Sequence, residues 1–161
     1  MNLKDESMKT AFLILGAQRS GTSVTSHMLS KFGVDFGDPK NFIQFEHNPI
    51  FFELKWVNQY NDKLINSLGY KYTDFFLPLE EDFEKANTTE IEKELQLLIE
   101  NEWKGTNIIG IKDPRCSLIF PVWEKLLLNN KYRLNIILAF RSPSSFLESN
   151  KKLFHNWDGW N

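Results

Sequence analysis

The residues best suited to chemistry in this chain are three groups of cations and hydroxyls: Arg19 with Ser20, Thr22 and Ser23; Lys112 with Asp113 and Arg115; and Arg141 with Ser142 and Ser149. A guanidinium or ammonium beside hydroxyls offers an oxyanion both charge and directional donors. The first group is set in Leu15-Gly16-Ala17-Gln18-Arg19-Ser20-Gly21-Thr22-Ser23, after the apolar run Ala11 to Leu15. That pattern predicts a strand, a tight glycine-bearing loop and the first turn of a helix. Backbone N–H groups then converge at the positive end of the helix dipole, where a phosphate-like anion is the natural occupant. Gly16 and Gly21 keep the glycine spacing of a Walker A loop, but Thr22 stands where that motif needs lysine, which disfavours a standard P-loop nucleotidase.

These groups need elements to position them. Val24, Met28, Leu29 and Phe32 share one face of a helix that Gly33 is placed to end. Val34 to His47 is a loop with aromatic anchors, one wall of a cleft. Asn48 and Pro49 are set to cap and start a long second helix carrying Phe52, Trp56, Tyr60 and Leu64, up to Gly69. Tyr70 to Ala86 is expected as loop. Thr89 and Glu92 form a capping box for a helix through Leu95 and Ile99 to Trp103, stopped near Gly105. Asn107 to Ile111 predicts a second strand, Leu118 to Leu128 a helix, and Leu134 to Phe140 a third strand. Ser142 and Pro143 then cap and start a helix with Phe146, Ser149 and Leu153.

Strands alternating with helices predict an α/β fold, three layers deep, with a parallel sheet covered on both faces. Each cationic group begins at or just after the end of a predicted strand. In a parallel sheet those ends lie along one edge, where open α/β folds bind their ligands.

With 161 residues, 42% of them hydrophobic and 25% charged, the chain has the composition of a single globular domain over residues 1–161, residues 1–9 being a flexible N-terminus. A formal net charge of -2 gives no general basic field, so nucleic acid is not the expected partner and a small anion held by a local cluster is. No apolar run approaches the ~20 residues of a membrane span, and a polar N-terminus with Asp5 and Glu6 fits a cytoplasmic protein. Cys116 is the single cysteine, which excludes an intrachain disulfide; it is expected as a packed small residue. His27 is expected as an ordinary helix residue.

Taken together, these motifs resemble the sulfotransferases that use 3'-phosphoadenosine 5'-phosphosulfate (PAPS), over about Ala11 to Lys152. Ala17-Gln18-Arg19-Ser20-Gly21-Thr22-Ser23 looks like their 5'-phosphosulfate loop, and Arg141-Ser142-Pro143 followed by Ser149 looks like their 3'-phosphate site. Lys112-Asp113-Pro114 is similar to an element of the tyrosylprotein-sulfotransferase branch whose lysine assists at the transferring group. Glu46-His47-Asn48-Pro49 with Phe52-Glu53 resembles a stretch in bacterial members.

The resemblance implies a P-loop NTPase-like sulfotransferase fold. It also implies metal-independent transfer of a sulfuryl group from PAPS to a hydroxyl or amine of an acceptor that the sequence does not identify. Arg19, Ser20, Gly21, Thr22 and Ser23 would hold the donor's phosphosulfate, Arg141 and Ser149 its 3'-phosphate, and Arg19 and Lys112 would assist catalysis. Glu46 is the first choice of base, with His47 and Glu53 as alternates. Family members continue past the last predicted helix, so the resemblance implies a domain truncated at its C-terminal side, with Phe154, Trp157 and Trp160 available for self-association. Two other readings stay open: a nucleotide kinase with Asp113 as a magnesium ligand, and a non-catalytic nucleotide-binding module.

Overall fold

The computed structural model describes residues 8–44, 51–74 and 77–153. Its centre is a parallel three-stranded sheet of order β2-β1-β3, with β1 at Thr10–Leu15, β2 at Ile108–Lys112 and β3 at Arg133–Leu138. In register, Thr10 lies beside Ile108 on one side and Arg133 on the other. β1 is a continuous apolar run because it is the middle strand: Ala11, Leu13 and Ile14 are fully buried. The expected strands are therefore present, and the chain is mixed α/β.

β2 is flanked on its other side by a single bridge from Asp35, whose N–H donates to the Ile108 carbonyl at 3.0 Å. Gly110 makes room there for Phe36, since a Cβ at that position would lie 2.4 Å from the ring. β3 is the outer strand among the described residues, and Ile136, Leu138 and Phe140 are exposed along it.

Helix α1, Thr22–Lys31, packs against β1 and β2 and ends before Gly33, which has a φ of 88°. Of the predicted face only Leu29 packs against the core. Val24, Met28 and Phe32 are 65%, 58% and 83% exposed, whereas Thr22 and Ser26 are buried. Small hydroxyl residues let the helix backbone approach the sheet closely, and the Ser26 hydroxyl is satisfied by donating to the Thr22 carbonyl at 3.0 Å.

Helix α2, Lys55–Ser67, starts later than expected; Asn48 and Pro49 lie outside the described residues. Phe52 has a left-handed φ of 57° and Leu54 is extended and bridges Phe42, so the chain before α2 is not helical. The stretch from Tyr70 to Ala86, expected as loop, contains a short helix, α3, at Glu80–Lys85. Its acidic first turn suits a helix N-terminus, and the Asp82 carboxylate accepts from the Leu79 N–H and the Tyr70 hydroxyl, each at 2.8 Å.

Helix α4 spans Thr89–Glu102, so Thr88 and not Thr89 is the residue before it. The predicted capping box is replaced by the Thr88 hydroxyl donating to the Glu92 carboxylate at 2.6 Å. A 3-10 turn at Pro114–Ser117 precedes helix α5, Phe120–Asn129, which packs on β3 and α4. Helix α6 spans Pro143–Leu153, as the Ser142-Pro143 pair predicts, with the Ser145 N–H donating to the Ser142 hydroxyl at 3.4 Å. Among the described residues no helix is long and apolar enough to cross a membrane.

One buried polar link ties α2 to α5. Trp123 is fully buried and donates its indole N–H to the Asn61 side-chain oxygen at 2.8 Å, while the Asn61 amide donates to the Cys116 sulfur at 3.4 Å. Asn61→Ala strands the indole donor in a dry core, and urea denaturation should show a loss of about 2–3 kcal/mol. A loss under about 0.5 kcal/mol would contradict this account, because exposed sites away from such links change stability by no more than that.

Candidate functional site

The loop between β1 and α1 is shaped by backbone torsions that ordinary residues avoid. Gly16 has a φ of 142° and Gly21 a φ of 107°, and Arg19 between them adopts a left-handed φ of 65°. A Cβ on Gly16 would lie 2.5 Å from the Ala139 carbonyl oxygen and 2.6 Å from Ser20 Oγ, so only glycine fits. The Gly16 N–H donates to Ser117 Oγ at 2.9 Å and the Ser20 N–H to the Ala17 carbonyl at 3.2 Å. Ser20 Oγ itself is buried and has no hydrogen-bond partner among the described residues. A buried orphan hydroxyl in a loop before a helix N-terminus fits an anion that would complete it.

The three cationic groups meet at this loop. Arg19 Nε donates to Ser149 Oγ at 3.0 Å, and Arg141 Nη1 donates to the Arg19 carbonyl at 3.3 Å. Ser149 is buried although most of the described α6 surface is exposed, so the loop and α6 meet through this hydroxyl. From β2, Lys112 Nζ donates to Ser23 Oγ at 3.2 Å and is also bonded to the Glu53 carboxylate. The loop residues, Lys112, Arg141 and Ser149 thus share one end of the sheet. Glu46 and His47 lie outside the described residues. Glu53, the remaining alternate base, is the acid placed against Lys112.

Behind the site lies an ion network that sequence reasoning reached only in part. Asp113 is fully buried and accepts from Asn58 Nδ2 at 3.1 Å and from the Arg115 N–H at 2.8 Å. Arg115 Nε donates to Asp62 Oδ1 at 2.6 Å, and its guanidinium lies 4.3 Å from the centre of the Tyr72 ring. Tyr72 in turn stands close enough to Gln18 of the loop to feel its side chain. Arg115 stood out in the sequence beside Lys112 and Asp113. Asp62 and Tyr72 carried no local signal, because only the tertiary fold brings them to it.

Burial sets the proton affinities here. It pushes the Glu53 carboxyl up despite the opposing Lys112 charge, and it pushes the Tyr72 phenol up to about 12 despite Arg115. Burial also raises the Cys116 thiol well above its ordinary range, which makes Cys116 a packing residue and not a nucleophile. No group of acids, histidines and cysteines able to hold a metal ion occurs among the described residues.

No family model, curated protein or solved structure matches the chain significantly. The functional reading therefore rests on the residues and their geometry.

The Tyr72 phenol gives a direct check on this geometry. Its folded value lies above the ordinary 10.0, so its contribution to stability is complete below that pH and is lost as pH rises toward about 12. An alkaline absorbance titration should show one phenol ionising near 12 that Tyr72→Phe removes, and the variant's stability should fall less steeply over that window. Loss in Tyr72→Phe of a phenol that ionises near the ordinary 10.0 would contradict the buried placement.

Proposed function

We propose that this chain transfers a sulfuryl group from PAPS to a hydroxyl or amine of an acceptor, and that its fold is the P-loop NTPase-like, three-layer sulfotransferase architecture. The observation that carries the reading is the meeting of Arg19, Ser149 and Arg141, with Lys112 at the same loop, from three strand ends far apart in sequence. A glycine-bearing loop leaving the central strand of a parallel sheet is where such folds place a phosphate-bearing ligand.

In this reading the loop N–H groups, the Ser20 hydroxyl and Arg19 hold the 5'-phosphosulfate. Arg141 forks onto the 3'-phosphate and Ser149 adds a hydrogen bond. Lys112, already directed at Ser23 in the first turn of α1, supplies the cation that a Walker lysine at position 22 would supply. Sulfuryl transfer asks the protein to align an in-line displacement and to stabilise charge on the leaving oxygen, and these groups suit both tasks.

The kinase reading has less support. It needs Asp113 as an open magnesium ligand, yet that carboxylate is fully buried and accepts from Asn58 and Arg115. A non-catalytic nucleotide-binding module would share the anion site, and turnover with a panel of acceptors separates it from an enzyme.

Calorimetry tests the donor site. Adenosine 3',5'-bisphosphate should bind without metal, and Arg141→Ala should weaken it about 10- to 100-fold, the range of one or two charge-assisted hydrogen bonds. ATP should bind poorly. Magnesium-dependent ATP binding with no response to the bisphosphate would overturn the proposal.

A further inference from the structure

We infer that Glu53 is the proton acceptor of the reaction and that donor binding arms it, by drawing Lys112 from the Glu53 carboxylate to the anion at the loop. The inference rests on the sulfuryl-transfer reading. It starts from the two partners of a single ammonium group. Lys112 Nζ is bonded to Glu53 on one side and to Ser23 Oγ, in the first turn of α1, on the other. Its side chain is 2% exposed and that of Glu53 12% exposed, so water does little to screen either charge. Lys112 is thus shared between a carboxylate and the mouth of the anion site, with the Phe51 ring centre 5.7 Å from its nitrogen.

A donor seated at the loop brings more negative charge to Ser23 than Glu53 carries. A lysine ammonium has three rotatable donors on a flexible stem, so a small turn at its end moves the charge from acid to donor. The groups that then face Glu53 are Asp113 and Arg115 from the turn after β2, together with Tyr72 and Cys116. Tyr72 and Cys116 are neutral, Asp113 repels the carboxylate, and Arg115 is committed to Asp62 and Asp113. A carboxylate left in that setting gains proton affinity, moving toward the range in which a base works best near neutral pH.

The step balances without any further reagent. The acceptor O–H proton passes to the Glu53 carboxylate as the acceptor oxygen bonds to sulfur. The bond from sulfur to the 5'-phosphate oxygen breaks, and its electron pair leaves with that phosphate beside Lys112. Without donor, Glu53 stays paired with Lys112 and is a poor base, which guards against deprotonating an acceptor with nothing to receive.

The test needs only adenosine 3',5'-bisphosphate as probe. Calorimetry in two buffers of different protonation enthalpy, from mildly acidic to neutral pH, measures the protons taken up on binding. The wild-type chain should take up more protons than Glu53→Gln. The variant should bind the bisphosphate more tightly, by about tenfold, because its Lys112 has no carboxylate to leave. Equal uptake by the two proteins, or weaker binding by Glu53→Gln, would overturn the inference while leaving the donor site standing. Failure of the bisphosphate to bind either protein would instead overturn the sulfotransferase reading. Should Glu53→Gln fail to fold by circular dichroism, Lys112→Met serves: it has no ammonium to leave Glu53 on binding, so the extra uptake should vanish, and its persistence would sink the proposal.

Discussion

There is no room for a side chain at Gly16, and much of the site follows from that constraint. At this residue the chain leaves the central strand within contact distance of the Ala139 carbonyl, beyond β3, while its N–H is held by Ser117, beyond β2. The loop is thereby fastened to the ends of both neighbouring strands. That fastening brings Arg141 from one side and Lys112 from the other within reach of the same few backbone atoms. A side chain at this position would push the loop away from β3 first, and the Arg19–Ser149 contact lies on that side.

The charges around the site serve placement more than stability. Lys112, Glu53, Asp113 and Arg115 are buried or nearly so, and taking such groups out of water generally costs about what their pairing returns. Their value lies in direction. Asp113 holds the backbone of the turn that follows β2, Arg115 supports Tyr72, and Tyr72 reaches Gln18. A polar frame thus runs from α2 toward the loop, and the carboxylate beside the lysine has its proton affinity raised first by burial, with Lys112 opposing.

The strands and the site loop were legible in the sequence for a physical reason. A middle strand of a parallel sheet is apolar on both faces, and Ala11 to Leu15 shows it; glycines at Gly16 and Gly21 mark torsions that other residues avoid. The strand ends then predicted the company of Arg19, Lys112, Arg141 and Ser149. What was illegible depends on tertiary packing. The periodicity of Val24, Met28 and Phe32 marked a stripe correctly but not which way it would face, because Thr22 and Ser26 allow the closer approach. Phe52 continued the spacing of α2 yet lies ahead of that helix, with a left-handed φ. Asp62 and Tyr72 join the site from elements whose local pattern contains no hint of it.

Along β3, the N–H groups of Arg133 and Ala139 donate to Lys9 and Leu15 on the β1 side. Since successive residues of a strand point their backbone groups to opposite sides, those of Leu134, Ile136 and Leu138 are directed away from the sheet. The stretch from Leu134 to Phe140 carries no charge, which makes it a template for unwanted pairing between molecules. Its only formal charges stand at its two ends, Arg133 and Arg141. Among the described residues nothing pairs with that side of β3, and a charge at each end of such a stretch is the kind of feature that discourages edge-to-edge pairing. The guanidinium that reaches the Arg19 carbonyl thus also closes one end of an uncharged strand.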